Sequence, residues 1–140
     1  MDDLEFGPVE FVLADFVGEM PDPLVIEAIA QLVDAGTVRL IDLLHVSRDA
    51  DGTVRWLEVD DAGIELGSID LAASGLVSHE DVEELAEGLP PGRSALLLAV
   101  ELLWAKHLAS AVAAAGGRVV DSVRIPAPIV NAVVAEAVGV

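Results

Sequence analysis

Cysteine is absent from this chain, and aromatic residues make up only 4% of its 140 residues. Without cysteine there is no disulfide, no thiol nucleophile and no thiolate metal site, which agrees with a cytoplasmic location. Because aromatic side chains are scarce, Ala, Val and Leu must fill the core. Hydrophobic residues still account for 54% of the chain. We therefore expect a single domain over residues 1–140 with a sizeable core.

Basic residues are also few, and this limits the partners. Seven Lys and Arg stand against 25 Asp and Glu, which gives a formal net charge of −18. Such a charge repels phosphate backbones and anionic lipids, so we expect no nucleic acid and no membrane as partner. No apolar run reaches the ~18 residues of a membrane span. The acidic residues 1–5 also differ from the positively charged start of a signal peptide.

Catalytic motifs are missing as well. The sequence contains no Gly-rich phosphate loop, no G-x-S-x-G, and no Cys-His or Ser-His-Asp pattern. It therefore predicts a protein that is not an enzyme and that needs no cofactor.

Residues 94–126 organise the predicted fold. An unbroken apolar run at residues 95–100, bounded by turn residues, is typical of a strand buried on both faces. The apolar period then changes to that of a helix, which Gly116 and Gly117 end. Residues 118–125 alternate, which predicts a second strand. The helix stripe that we expect to be buried consists of Trp104, Leu108, Ala111, Val112 and Ala115.

The remaining elements flank this unit. Strands are predicted at residues 9–16, 38–47 and 54–59, with a hairpin between the last two. Asp22 and Ser78 are the expected N-caps of two further helices. With a last helix added, the order is β-α-β-β-α-β-α-β-α, which begins as the ferredoxin-like split β-α-β arrangement does. We predict an α+β fold with a ferredoxin-like sheet and helices mainly on one face, extended by a further strand and a C-terminal helix.

The predicted hairpin has the oxygen spacing of a calcium loop, with Gly52 at its tight turn. The candidate ligands are Ser47, Asp49, Asp51 and Glu58. Two interpretations stay open: a weak cation site, or a solvated turn in which Asp and Gly serve the backbone. A strand that continues from Thr53 would carry Glu58 away from the other three, which favours the turn.

Glu101 ends the central buried strand just before Trp104, and both are candidates for ligand binding. Partial burial would raise the pKa of the Glu101 carboxyl, as a general acid or base requires. Arg118 and Arg124 share one face of the predicted second strand, where they could clamp an anion or pair with Glu101. An ordinary ion pair at a strand–helix junction is the alternative interpretation.

The predicted last helix, residues 126–138, is apolar nearly all round. Such a helix must be buried on more than one side, and a Val-rich helix depends on packing. Since no later element of the sequence covers its outer face, we expect a homo-oligomer in which a second subunit does so. The expected interface residues are Ile129, Val130, Val133, Val134 and Val138.

Several short motifs are spread over nearly the whole chain. They are GPVE at residues 7–10, LVDAGTVRLIDL at 32–43, DADGTV at 49–54, Glu101 followed by Trp104-Ala105, and RIP at 124–126. In these the chain resembles a family of short actinobacterial proteins of unknown function. The resemblance implies a small single-domain bacterial protein, and it carries over no activity, cofactor or catalytic residue.

Three functions are compatible with these features. The first is a non-catalytic, self-associating module that acts through assembly or by regulating an unidentified protein partner. The second is a small-molecule or metal-ion sensing module that uses the sheet face or the hairpin at residues 47–58. The third is an acid–base enzyme built around Glu101. The sequence favours the first.

Overall fold

The computed structural model describes residues 6–67 and 69–139, so the acidic start of the chain lies outside the described residues. The contacts divide the chain into two compact units, the first ending at Leu108 and the second beginning at Ala109. The prediction of a single domain is not tested by this division and stays a prediction. Within the described ranges, every helix is too short or too polar to cross a membrane.

The first unit contains a four-stranded antiparallel sheet. Its strands are β1 (Val9–Phe16), β2 (Val38–Arg48), β3 (Val54–Glu58) and β4 (Ser94–Leu102), and their order in the sheet is β1-β4-β2-β3. The strands lie where the apolar patterns predicted them. Strands β2 and β4 are the inner strands, which explains why both are apolar on both faces, while β1 and β3 form the edges.

Four α-helices accompany the strands in the part of the chain that the structure describes. They are α1 (Pro23–Asp34), α2 (His79–Leu85), α3 (Leu103–Ala114) and α4 (Ala127–Ala137). The predicted caps are confirmed. Asp22 Oδ1 accepts a hydrogen bond from the Leu24 N–H, 2.9 Å away. Ser78 and Asp81 form a reciprocal capping box that satisfies two backbone donors at the start of α2.

The strand order contains two split β-α-β units. Strands β1 and β2 are parallel to each other with β4 between them, and β3 and β4 are parallel with β2 between them. The predicted α+β class and the order of the first six elements are therefore confirmed. The ferredoxin-like sheet order is not confirmed, because that order has the first and third strands inside and this sheet has the second and fourth.

Two buried clusters cover opposite faces of the sheet, so the prediction of helices mainly on one face is wrong. Helix α2 contributes Val82 to the cluster that contains Leu97 of β4. Helix α1 contributes Ile29 to the cluster that contains Leu96. Successive residues of a strand point to opposite faces, so Leu96 and Leu97 place the two helices on different sides. An inner strand that is apolar on both faces needs this cover on both.

The prediction of a buried stripe on α3 is also wrong for the part of this helix that belongs to the first unit. Trp104 is 55% exposed and Leu108 is 52% exposed. The half-buried residues there are Leu103, Ala105 and Lys106. Helix α3 follows β4 without a loop, and the Leu103 N–H donates to the Thr37 carbonyl. The end of the strand therefore sets the rotation of the helix, which the apolar period alone did not reveal.

The second unit begins within α3. The predicted helix stop is confirmed: Gly116 has a φ of +90°, and the Gly117 N–H donates to the Val112 carbonyl over 2.9 Å. The predicted strand at residues 118–125 is not formed, since these residues belong to no helix or strand and are all exposed. Helix α4 follows at the predicted place.

Candidate functional site

Glu101 is fully buried at the end of β4, where β1 and β2 flank it. Its cross-strand neighbour on β2 is Arg39, whose Nε donates to Glu101 Oε1 over 2.7 Å. A second guanidinium nitrogen of Arg39 lies 2.6 Å from the same oxygen. The Gly7 N–H donates to Oε2. The Arg39 guanidinium also lies 4.7 Å from the centre of the Phe6 ring, a cation–π contact.

These contacts decide the charge of Glu101. Burial by itself would raise the pKa of the carboxyl, but the hydrogen bonds from Gly7 and Arg39 and the charges of Arg39 and Lys106 hold it below the usual value. A carboxyl with a lowered pKa is a poor general acid at neutral pH. The ion-pair interpretation of Glu101 is therefore confirmed, with Arg39 as its partner.

The other residues predicted with Glu101 lie elsewhere. Trp104 is in the first turn of α3 with its side chain half in solvent. Arg118 and Arg124 are exposed residues of the second unit. The contacts described for Glu101 come from Gly7 and Arg39, so its ligand-binding role with these three residues stays a prediction.

Three of the four candidate calcium ligands interact with other partners. Asp49 Oδ2 accepts a hydrogen bond from Arg55 Nε over 2.8 Å, and Asp51 Oδ1 accepts one from the Thr53 N–H over 2.9 Å. Glu58 lies further along β3 and points to a different neighbour, Asp42. No group of three or more metal-binding side chains occurs in the part of the chain that the structure describes.

A β-bulge in β2 helps to bring two carboxyl groups together, and the sequence did not predict this cluster. The register with β4 shifts between Leu40 and Asp42, which leaves Ile41 as the extra residue. Asp42 is fully buried, and its Oδ1 accepts a hydrogen bond from the Leu43 N–H. Its Oδ2 accepts one from the Gly75 N–H, 3.0 Å away.

Glu58 of β3 completes this cluster, and we call Asp42, Glu58, Ser74 and Gly75 the bulge site. The Ser74 hydroxyl donates to Glu58 Oε1 over 2.9 Å, and the Glu58 carboxyl hydrogen-bonds to Asp42. Burial, followed by the hydrogen bond to Asp42, raises the pKa of Glu58 to about 7. Below that pH a proton on Glu58 joins two carboxyl groups that would otherwise repel.

The bulge site fastens the segment between β3 and α2 to the sheet. The N–H groups of Ala72 and Ala73 donate to the carbonyls of Leu40 and Ile41 over 3.1 and 3.0 Å. The side-chain bonds of the bulge site lie directly beside these backbone bonds. A charged residue inside an otherwise apolar strand, residues 40–44, was the sequence signal for a buried role of Asp42.

The predicted interface residues are all exposed. Their exposed fractions are Ile129 55%, Val130 42%, Val133 59%, Val134 53% and Val138 65%. The preceding segment exposes four more large apolar side chains, which are Val119, Val120, Val123 and Ile125. Within residues 109–139 not one residue is fully buried. This unit, which we call the C-terminal arm, therefore has apolar surface without a core of its own.

Comparison with known proteins places the chain in a family. The model of a family of unknown function, DUF6325, matches residues 5–139. The chain belongs to this family. No curated protein and no solved structure matches it. The resemblance to a family of unknown function is confirmed, and the functional argument rests on the chain's own geometry.

Proposed function

We propose that this member of the DUF6325 family is a non-catalytic module that acts by self-association through its C-terminal arm, in an assembly or by regulating a protein partner. The observation that carries the proposal is the arm's exposure: nine large apolar side chains and no buried residue over 109–139. Exposed apolar side chains in this number are typical of an interaction site.

The charge distribution supports a contact between two arms rather than between two sheets. The arm carries Arg118 and Arg124 against Asp121 and Glu136, so it is neutral, and the net charge of −18 resides in the rest of the chain. Contact between arms therefore brings together surfaces that carry no net charge. Screening with a Debye length of about 8 Å at physiological salt reduces the remaining repulsion between the acidic units.

The available area supports the same proposal. A specific interface needs on the order of 800 Å² from each partner. Nine Val and Ile side chains that are 42–79% exposed provide apolar area of about this order. Helix α4 is rich in Val and has no buried residue of its own, so packing against another chain would stabilise it.

Light scattering on two matched variants tests the proposal. Val133→Asp places a charge on the apolar surface of α4 and should reduce an oligomer to the 14.6 kDa monomer. Asn131→Asp adds the same charge to the same helix at a position that is already polar, and should leave the oligomer intact. A wild-type monomer, or equal dissociation by both variants, would contradict the proposal.

A second candidate function is small-molecule sensing at the hairpin. A cleft of about 600 Å³ is lined by His45, Ser47, Arg55, Trp56 and Leu57. This size suits a small ligand, and the cleft combines the cation of Arg55 with the imidazole of His45. Thermal shift measurements against a panel of small anions test it. No shift with any of them, or an equal shift in Arg55→Met, would remove this alternative.

A further inference from the structure

We propose that a cleft beside the start of α1 binds a small organic cation, namely an apolar body that carries one protonated amine. This cleft, which we call the α1 cleft, has a volume of about 610 Å³ and lies within the first unit. One wall is the first half of α1 together with the segment before it, and the other is the loop at residues 63–67. The inference concerns a single chain and is independent of the proposed self-association.

The surface of the α1 cleft is mainly apolar. Ile26 and Ala30 lie one turn apart on α1, and both are half-buried. On the other wall Ile64 is 7% exposed, and Leu66 packs against the buried cluster to which Ile64 belongs. Met20 is 50% exposed, and a flexible thioether side chain adapts to the shape of a ligand. Apolar walls around a volume of this size suit a small organic molecule.

Backbone hydrogen bonds hold both walls of the α1 cleft in place. At the start of α1, the Val25 N–H donates to the Asp22 carbonyl over 2.9 Å. In the loop, the Ile64 N–H donates to the Val59 carbonyl over 3.2 Å. Gly63 makes the turn between them with a φ of +79°, which glycine adopts without strain. Because the walls are already ordered, a ligand that enters costs little conformational entropy.

The two charged residues that line the α1 cleft are both acidic, Glu27 on α1 and Glu65 in the loop. Both are exposed, and neither has a hydrogen bond or an ion pair with another described residue. Three arginines of the first unit form ion pairs elsewhere, which are Arg39 with Glu101, Arg55 with Asp49 and Arg93 with Asp15. The α1 cleft therefore combines apolar walls with negative charge that these arginines do not neutralise.

This combination determines the class of ligand. A carboxylate only accepts hydrogen bonds, so Glu27 and Glu65 favour a ligand group that donates and is positively charged. A protonated amine meets both conditions, whereas an anion would be repelled by both residues and by the net charge of −18. Exposed ion pairs contribute little affinity by themselves. The apolar body must therefore supply most of the affinity, while the amine determines which ligand is preferred.

Helix α4 of a second copy is the other apolar occupant that the chain could offer. The one charged residue of this helix is Glu136, so α4 brings no positive charge to Glu27 and Glu65. Charge complementarity therefore favours the amine over α4.

Isothermal titration with matched probes tests the inference. Adamantylamine and adamantanecarboxylate share one rigid apolar body and differ in charge, and naphthylmethylamine and naphthoate form a second, flat pair. Methylamine carries the amine without an apolar body. We expect at least one of the two large amines to bind about tenfold or more tightly than its carboxylate and than methylamine. Absence of binding by both large amines at about 5 mM, or equal affinity for amine and carboxylate, would overturn the inference.

Two double variants locate the binding. Glu27→Gln with Glu65→Gln should weaken binding of the large amine about tenfold, because the neutral amides keep the size of the side chains and remove the charge. The matched control is Glu84→Gln with Glu87→Gln, which removes the same charge from exposed residues that line a different cleft. The control should change the affinity less than about twofold. An equal loss in both would mean that the amine responds only to the overall charge, which would contradict the inference.

Met20 allows a test of the occupant. Met20→Lys places an ammonium group of the chain itself at the α1 cleft and should prevent binding of the large amine, whereas Met20→Leu should preserve it. Because Met20 is 50% exposed, both variants should keep the melting temperature of the wild type. Amine binding that persists in Met20→Lys would contradict the inference. Dissociation of a wild-type oligomer by Met20→Lys would assign the cleft to a second copy, which would overturn the inference and leave the proposed self-association intact.

Discussion

The carboxyl group of Glu58 on β3 hydrogen-bonds to the buried carboxyl group of Asp42 on β2. The Ser74 hydroxyl and the Gly75 N–H bind the same two groups from the segment that leads to α2. Two neighbouring carboxyl groups are compatible with burial when one carries a proton. We therefore expect the attachment of this segment to depend on pH.

Stability should fall as pH rises through neutrality. Burial and the bond to Asp42 raise the pKa of Glu58 from 4.5 to about 7 in the folded chain. The folded state then binds more protons than the unfolded state, so the stabilisation is complete below pH 4.5 and is lost as the pH rises through about 7. Because Glu58 is only partly buried, solvent screening should limit the loss to about 1–2 kcal/mol. Urea unfolding from pH 5 to pH 8 measures it.

Glu58→Gln should remove most of this pH dependence. The amide keeps a donor for Asp42 and an acceptor for Ser74, and it cannot ionise. We expect the variant to be more stable than the wild type at pH 8 and about equal to it at pH 5. A wild-type stability that is flat over this range, or a variant with the same slope, would show that Glu58 is not protonated in the folded chain.

Removing Arg39 should destabilise the fold because it leaves the buried Glu101 carboxylate with fewer partners. We expect Arg39→Met to lower the free energy of unfolding by about 1–3 kcal/mol at neutral pH. This loss is smaller than that expected for a fully buried ion pair, because the Arg39 side chain is 41% exposed. Arg55→Met is the matched control, because the Arg55–Asp49 pair lies in solvent and should matter little. Equal losses in both variants would contradict the role of burial.

Glu101→Gln in the Arg39→Met background should recover part of that loss. The double variant no longer carries an unpaired buried charge, so the two substitutions should not be additive. Additive losses would mean that the two side chains are not coupled.

Trp104→Ala should have a small effect on the stability of the first unit. Trp104 is 55% exposed, so its substitution should cost less than about 1 kcal/mol. Trp56 is the useful comparison: it packs against the α2-side cluster and its ring meets His79 edge-on at 4.6 Å. Trp56→Ala should cost about 2 kcal/mol or more. Chemical denaturation of the two variants measures the difference, and a larger loss in Trp104→Ala would contradict the described exposure.

Calcium should bind weakly or not at all. Asp49 is bonded to Arg55 and Asp51 to the Thr53 N–H, while Glu58 belongs to the bulge site. Isothermal titration checks this expectation. One site of micromolar affinity that disappears in Asp49→Ala would show that the hairpin rearranges around the ion.

The secondary structure of the first unit could be predicted because its signals are local. Alternating apolar residues defined β1, and an apolar run defined β4. The side chains of Asp22 and Ser78 marked helix starts through bonds to neighbours two and three residues away. Such interactions depend little on the rest of the fold.

The tertiary arrangement could not be predicted in the same way. Nothing local distinguishes a sheet with β2 and β4 inside from one with other inner strands, and the extra residue Ile41 moves Asp42 relative to its neighbours. The rotation of α3 depends on its direct junction with β4. Arg39 was missed as the partner of Glu101 because they are 62 residues apart and meet only in the β2–β4 register.

Residues 118–125 show that an alternating sequence pattern alone does not decide whether a strand forms. Their alternation predicted a strand, and the structure of one chain contains no strand there. A strand requires a neighbouring strand, and the sheet β1-β4-β2-β3 does not include this segment. The apolar surface of α4 was likewise predicted to be covered, and it is exposed in a single chain.

Self-association through the C-terminal arm is the central claim, and sedimentation equilibrium tests it most directly. The measurement uses the full chain at about 0.15 M salt, where screening limits repulsion between the acidic units. We predict a mass that is a multiple of 14.6 kDa at tens of micromolar protein and that falls toward the monomer on dilution. A mass of 14.6 kDa at every concentration would contradict the account.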